Sequence, residues 1–329
     1  MRRKLSEPEA AILRALEHRA GVPVTDVSKV LRMRGPTIRH HLSQLRDRGV
    51  VRNSTCFLNP YRLGLSGYTM YFSLASAGKS VREQLVRLTA ASSVEWVAEL
   101  AGEHSYGVSL LAESPAELPD LVSRISEICG NLICNRVLLM RIRFVAFGRK
   151  YLSDVPAPII PLTIEHSSTR VTTDATDRRI LGALSQGECP SLREMASSLQ
   201  IPASTLRHRL KRLEADQVIQ GFIYRYNLAQ MGAQSFRICI TTKGGTRRGA
   251  KELFEFAKNH PNIVHFIEYM GPWDYELGVE VQDARDINQV IAALYERFEP
   301  IISGIKTFTI LHNIKYCAYP FDLPVERKK

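Results

Sequence analysis

The chain has 329 residues, 45% of them hydrophobic, with a mean hydropathy of −0.12 and a formal net charge of +11. It is too long for one ordinary domain and too apolar for a disordered chain, so several packed domains are expected. No apolar run approaches the ~20 residues that cross a bilayer, and the basic start Met1-Arg2-Arg3-Lys4-Leu5 lacks the apolar stretch of a signal peptide.

In chain order, residues 7–19 carry a helical stripe at Ala11, Ile12, Ala15 and Leu16, broken by Gly21-Val22-Pro23. A second helix is predicted over Thr25–Met33 with Val27, Val30 and Leu31 inward. A third runs from Pro36 to Arg48 with Ile38, Leu42 and Leu45 inward. Gly49 stops it, and Val50-Val51-Arg52…Thr55-Cys56-Phe57 suits a short β-hairpin, making a winged helix-turn-helix over 1–60. Strand 68–76, helix 80–91, strands 94–101 and 104–112, helix 115–129 and strand 136–147 follow, a βαββαβ order that implies a ferredoxin-like sandwich over 61–152. Pro156, Pro158, Pro161 and a Ser/Thr-rich run mark 153–172 as a linker.

The pattern then repeats. Thr37-Ile38-Arg39-His40-His41-Leu42 returns as Thr205-Leu206-Arg207-His208-Arg209-Leu210, an offset of 168 that holds from Ile12 (Ile180) to Gly64 (Gly232). A long-period duplication fixes architecture before any other signal. A second winged module is expected over 173–230, with a capping box at Ser191–Glu194 and Ser204 capping the third helix. A second ferredoxin-like domain is expected over 231–320 and a tail over 321–329. The fold class is therefore α+β, with two copies of a winged helix-turn-helix followed by a βαββαβ domain.

Charge and side-chain chemistry point to a duplex. Residues 1–60 hold 12 Lys/Arg against 5 Asp/Glu, and 173–230 hold 8 against 6. A localised basic surface is the footprint of a polyanion. The third helix of such a module lies in the major groove, led by its N-terminal residues. With the apolar stripe inward, Thr37, His40, His41 and Gln44 project outward, as do Ser204, Thr205, His208, Arg209 and Arg212. Arg39 and Arg207 lie on the same helices. Arg forks onto guanine, and His, Gln, Ser and Thr suit base edges or phosphates. Arg32, Arg34, Arg46, Arg48 and Lys211 suit phosphate, which supplies affinity without sequence information.

No metal site or cofactor is expected. His40 and His41 are adjacent on a helix and point about 100° apart, whereas ligands on one face need i, i+3 or i+4 spacing. Gly244-Gly245 lacks the surroundings of a phosphate loop. No nucleophile–base spacing is recognisable, so no catalytic residue is assigned. The six separated cysteines fit reduced thiols and a cytoplasmic location.

The stretch STLRHRLKRLEADQVIQGFIYRYNLAQMG (204–232) resembles the helix-turn-helix and hinge strand of the Lrp/AsnC transcription regulators. GPWDYELGVEV (271–281) is similar to the Gly-x-x-Asp-Tyr strand of their effector-binding domain. The resemblance implies a regulator of double-stranded DNA, modulated by an amino acid or related small molecule. It carries effector contacts onto Gly271, Trp273, Asp274 and Tyr275, with Glu268 and Tyr269 nearby. The first copy departs from this pattern, because Gly102-Glu103-His104-Ser105-Tyr106 puts Ser105 where the acid should stand.

Two sheet domains in one chain imply a pseudo-dimer, or a homo-oligomer. A linker of about 20 residues at roughly 3.3 Å each reaches some 65 Å, against the about 34 Å between half-sites one turn apart. Because His41 and Gln44 face Arg209 and Arg212 across the repeat, unequal half-sites are expected. The alternative is an enzyme: siroheme decarboxylases share this architecture. The Ser-His-Asn-Tyr-like strand associated with them is absent, the corresponding regions reading Val94-Glu95-Trp96-Val97 and Val264-His265-Phe266-Ile267. A sensor whose helical modules make only protein contacts is a third class.

Overall fold

In the computed structural model, which describes all residues except 1–3, 76–78, 92, 156–158, 167–168, 186–190, 245–246, 318 and 320–329, both halves of the chain show similar orders of elements. The first half runs α1 (Glu7–Leu16), α2 (Val24–Leu31), α3 (Gly35–Asp47), β1 (Val51–Leu58), β2 (Ser66–Leu74), α4 (Lys79–Ala90), β3 (Val94–Ala101), β4 (Tyr106–Ala112), α5 (Leu118–Ile128), β5 (Ile133–Ala146) and β6 (Leu162–Glu165). The second runs α6 (Ala175–Ser185), α7 (Leu192–Ser198), α8 (Ala203–Ala215), β7 (Ile219–Tyr226), α9 (Leu228–Met231), β8 (Gln234–Thr242), α10 (Arg247–Asn259), β9 (Ile263–Met270), β10 (Tyr275–Val281), α11 (Ile287–Phe298) and β11 (Ile302–Tyr316).

Local chemistry sets the helix ends. Ser6 N donates to Glu9 Oε2 at 2.8 Å in a capping box that opens α1. α2 stops at Arg32, which adopts a left-handed φ of 52°. α3 buries Ile38, Leu42 and Leu45 on one stripe, as its spacing predicts, and Gly49 follows at φ +65°. α7 opens on the expected Ser191–Glu194 box. α8 begins two residues earlier than expected: Pro202 is its N-cap, with φ already near the helical value, so Ser204 lies inside the first turn. Val30, expected inward, is 39% exposed because the short α2 makes its contact through Val27.

The hairpin expected over 50–57 is one extended strand, β1. Residues 52–55 contain no glycine or proline to turn it, and its first carbonyls find another partner, with Asn227 N donating to Val50 O at 2.9 Å.

The chain divides into two units, each drawing on both halves. Unit 1 comprises Met1–Ser54, Arg143–Thr163 and Gly221–Thr309; unit 2 comprises Thr55–Ile142, Ile164–Gln220 and Ile310–Lys329. Unit 1 thus joins the first three-helix module to the second half's sheet. Leu13, Leu45, Val50 and Val51 pack with Met231, Tyr224 and Leu228. In its sheet β10 lies antiparallel between β8 and β9, with Leu277 opposite both Ile238 and Phe266. β11 flanks β8, and the end of β5 flanks β9 through Phe147 N to Val264 O at 2.8 Å. Ile238, Phe266, Val279, Leu294 and Phe298 form the core against α10 and α11.

Unit 2 repeats the plan with α6–α8 and the first half's sheet. β4 lies antiparallel between β2 and β3, and β5 pairs with the other edge of β2. Both sheets therefore have the order fourth, first, third, second strand, the expected ferredoxin-like topology. The segment expected as a linker is fastened where it is described: Leu162 and Ile164 are buried in β6, and Val171 N donates to Arg62 O at 2.7 Å. Its apolar alternation makes it strand-like. Residues 156–158 and 167–168 of that segment, and the tail 321–329, lie outside the described residues.

Candidate nucleic-acid interface

Each three-helix module buries an acid at the same place in its first helix. Glu9 on α1 and Asp177 on α6 occupy matching positions of the repeat (177 − 9 = 168), and both are 0% exposed. A carboxylate taken out of water needs a cation, and removing the cation is more costly than forgoing a solvent contact. In the first module Arg48 Nη1 meets Glu9 Oε1 at 2.6 Å. Burial alone would raise the Glu9 pKa, yet the Ser6 amide and Arg48 hold it below the ordinary carboxylate value. In the second, Arg209 Nη1 lies 2.9 Å from Asp177 Oδ1 and 2.6 Å from Asp174 Oδ2, and Arg212 Nη2 bonds Asp177 Oδ2.

Arg48, Arg209 and Arg212, read as groove or phosphate contacts, are each held by an acid of their own module. His41 and Gln44 stand where Arg209 and Arg212 stand in the other copy (offset 168) and are half-buried. The rest of both helices faces outward as the spacing predicts. Arg34, Thr37, Arg39 and His40 are exposed on or before α3; Ser204, Thr205, Arg207, His208 and Lys211 are exposed on α8. Arg32, Arg34, Arg39 and Arg46 make no ion pair among the described residues, nor do Arg207 and Lys211. The outer face of α3 is thus a row of uncommitted guanidinium groups, each able to meet phosphate. α8 offers a thinner one.

The residues carried over as effector contacts lie around the β9–β10 turn. Glu268 and Tyr275 are cross-strand partners, and Arg143 Nη2 lies 3.4 Å from Glu268 Oε2. Burial, then the nearby Glu268 and Asp274, raise the Tyr275 pKa. Asp274 Oδ2 accepts from Thr242 N at 2.7 Å and Thr242 Oγ1 at 2.8 Å, so this carboxylate already fastens the strand start. Trp273 and Tyr269 are buried, while Gly271 is exposed. The structure brings Glu268, Asp274 and Tyr275 together and places Trp273 in the core near Phe308. Sequence reasoning missed Arg143, which stacks over Phe254 at 4.7 Å.

It also missed a buried ionic network in unit 1. Arg149 donates to Glu17 Oε1 at 3.0 Å and to both Glu280 oxygens at 2.9 and 3.0 Å; Tyr151 OH donates to Glu280 at 2.7 Å. Burial raises the Glu17 pKa despite Arg149, and burial pulls His18 down to about 4. One signal was available: Glu276 and Glu280 alternate with Leu277, Val279 and Val281, so β10 carries acids on the face turned from its core. Arg237 Nε meets Glu276 at 3.1 Å, and in unit 2 Arg141 pairs both guanidinium nitrogens with Glu95 at 2.8 and 3.0 Å. Among the described residues no group of three or more His, Cys, Asp or Glu could hold a metal ion, and no helix is long and apolar enough to cross a membrane.

Comparison with known proteins locates this site in a wider group. The family described as winged helix-turn-helix DNA-binding matches residues 173–220. The HTH-type transcriptional regulator FL11 of Pyrococcus abyssi (strain GE5 / Orsay) is 28% identical over 132 residues, 40% of this chain and 85% of FL11. The DNA-binding transcriptional activator DecR of Escherichia coli (strain K12) is 23% identical over 154 residues, 46% of this chain and 99% of DecR. The chain is similar to transcription regulators of the Lrp/AsnC kind, as residues 204–232 and 271–281 suggested. The crystal structure of the siroheme decarboxylase NirDL has a TM-score of 0.61 at 13% identity, covering 95% of this chain and 94% of that one, a likeness of fold.

Proposed function

We propose that the chain is a sequence-specific, DNA-binding transcription regulator built by tandem duplication, with α3 and α8 as its two recognition helices. The observation that carries this reading is the outer face of α3, where Arg34, Arg39 and Arg46 are exposed and unmatched by any acid among the described residues. Thr37 and His40 stand between them for base edges, with Gln44 and His41 behind. α8 contributes Ser204, Thr205, Arg207, His208 and Lys211. The two helices present different side chains, so the operator is not a clean palindrome. Footprinting on genomic fragments tests this: unequal half-sites are expected, and two identical inverted half-sites per chain refute it.

Control by an amino acid or a related small molecule would act at Glu268, Tyr269, Gly271, Trp273, Asp274 and Tyr275. A ligand there shifts DNA binding only if it favours one conformation over another. Calorimetry against the amino acids, showing no heat for any, removes this part alone. The decarboxylase reading is favoured by the likeness of fold over the whole chain. Against it, the buried or half-buried arginines at 141, 143, 149 and 237 are each matched to an acid, Glu95, Glu268, Glu17 with Glu280, and Glu276, and so are not free for the carboxylates of a tetrapyrrole. A Soret band on adding siroheme would restore it.

A further inference from the structure

The first half's sheet domain holds a partly open apolar cavity of about 210 Å³, lined by Val94, Leu110, Leu121, Ile125 and Ile128, with Arg124 as its one charged residue. Arg124 lines the cavity, is exposed and makes no ion pair among the described residues. The two sheet domains fill their cores differently. Strands and helices of the two correspond at an offset of 169, since β9 begins at Ile263 where β3 begins at Val94, and α11 at Ile287 where α5 begins at Leu118. At that offset Phe266 becomes Val97 and Phe298 becomes Cys129, all four being buried. The two cores thus differ in where their rings stand, and neither Val97 nor Cys129 is among the residues lining the cavity. Ala293 stands opposite Arg124 in the same comparison, so the cation is also particular to the first domain.

An apolar void is costly to keep, because its lining loses dispersion contacts that no water replaces. A void with an unmatched cation at its mouth has the chemistry of a site for an amphipathic anion. We propose that this cavity binds a small monocarboxylate with a short hydrocarbon chain, its tail among Leu110, Leu121 and Ile125 and its carboxylate on Arg124. No acid lines the cavity, so an ammonium group at its mouth would meet the like charge of Arg124 and no partner. The site thus selects fatty or 2-oxo acids over amino acids and amines. It stands apart from the β9–β10 turn and is independent of the DNA-binding reading.

Titration of the full chain with hexanoate, 1-hexanol and hexylamine, followed by calorimetry and by methyl NMR, tests the proposal. Hexanoate should bind and shift the methyls of Leu121, Ile125 and Ile128. Arg124→Gln should weaken hexanoate by on the order of tenfold or more while leaving 1-hexanol unchanged. Ile128→Phe, which puts a ring into the lining, should weaken both. Absence of hexanoate binding, equal binding of hexylamine, or shifts confined to other methyls would each overturn the proposal. If Ile128→Phe does not fold, the Arg124→Gln comparison and the methyl shifts still decide it.

Discussion

Replacing Arg149 with alanine tests the interior of unit 1 most directly. Its guanidinium makes three bonds of 2.9–3.0 Å to Glu17 and Glu280, whose side chains are each only 4% exposed. Removing the cation leaves two buried carboxylates facing each other, and breaking a buried pair this way costs about 3–5 kcal/mol. For a unit of this size that is a fall of roughly 6–20 °C in Tm. The loss should depend on pH. The folded pKa of Glu17 already lies above its ordinary value because of burial, with Arg149 opposing the rise. A carboxyl raised on folding favours the folded chain only while protonated, and that contribution is lost as pH rises through the folded pKa. Without Arg149 the value climbs further, so the deficit should be largest near neutrality and shrink toward about pH 5. Urea unfolding at both pH values measures this. A deficit under about 1 kcal/mol, or one that grows on acidification, would refute the reasoning. Replacing all three, as Glu17→Gln, Arg149→Met and Glu280→Gln, should recover most of the loss.

Three further outcomes are expected. Arg39→Ala and Arg46→Ala should each reduce the slope of log affinity against log salt by about 0.9 in DNA titrations, and an unchanged slope would remove those residues from the phosphate contacts. Asp177→Asn should destabilise the second module by about 3 kcal/mol in chemical denaturation, whereas Asp174→Asn, at a side chain 54% exposed, should cost under about 1 kcal/mol. Equal losses would show that Asp177 is not the anchor. Gly278→Ala puts a Cβ 1.9 Å from the His265 ring, which packs on Phe144, so the fold should lose about 1–3 kcal/mol or more. A neutral result would mean that the ring moves aside freely.

The helices and both βαββαβ orders were legible because hydrophobic spacing reports which face of an element meets a core. Ile38, Leu42 and Leu45 are buried at the positions their periodicity requires. The outward residues of α3 and α8 followed from the same stripe. What spacing could not reveal was the use of each outward cation. Arg48, Arg209 and Arg212 look like Arg39 and Arg207 in sequence, yet a buried acid 32 to 39 residues away claims them. Nor did composition show that β1 would find its partner beyond its own module.

Periodicity, capping residues and the 168-residue repeat by themselves established two helical modules, two sheet domains and a basic third helix in each module. Only the tertiary structure decided that the first module shares a unit with the second half's sheet, and that Arg149 binds Glu17 and Glu280, 132 and 131 residues away. The physical reason is that segments of similar pattern offer similar packing surfaces, so local pattern cannot rank one sheet above the other. That choice is made by long-range packing and buried charge, which leave no trace in the spacing of neighbouring residues.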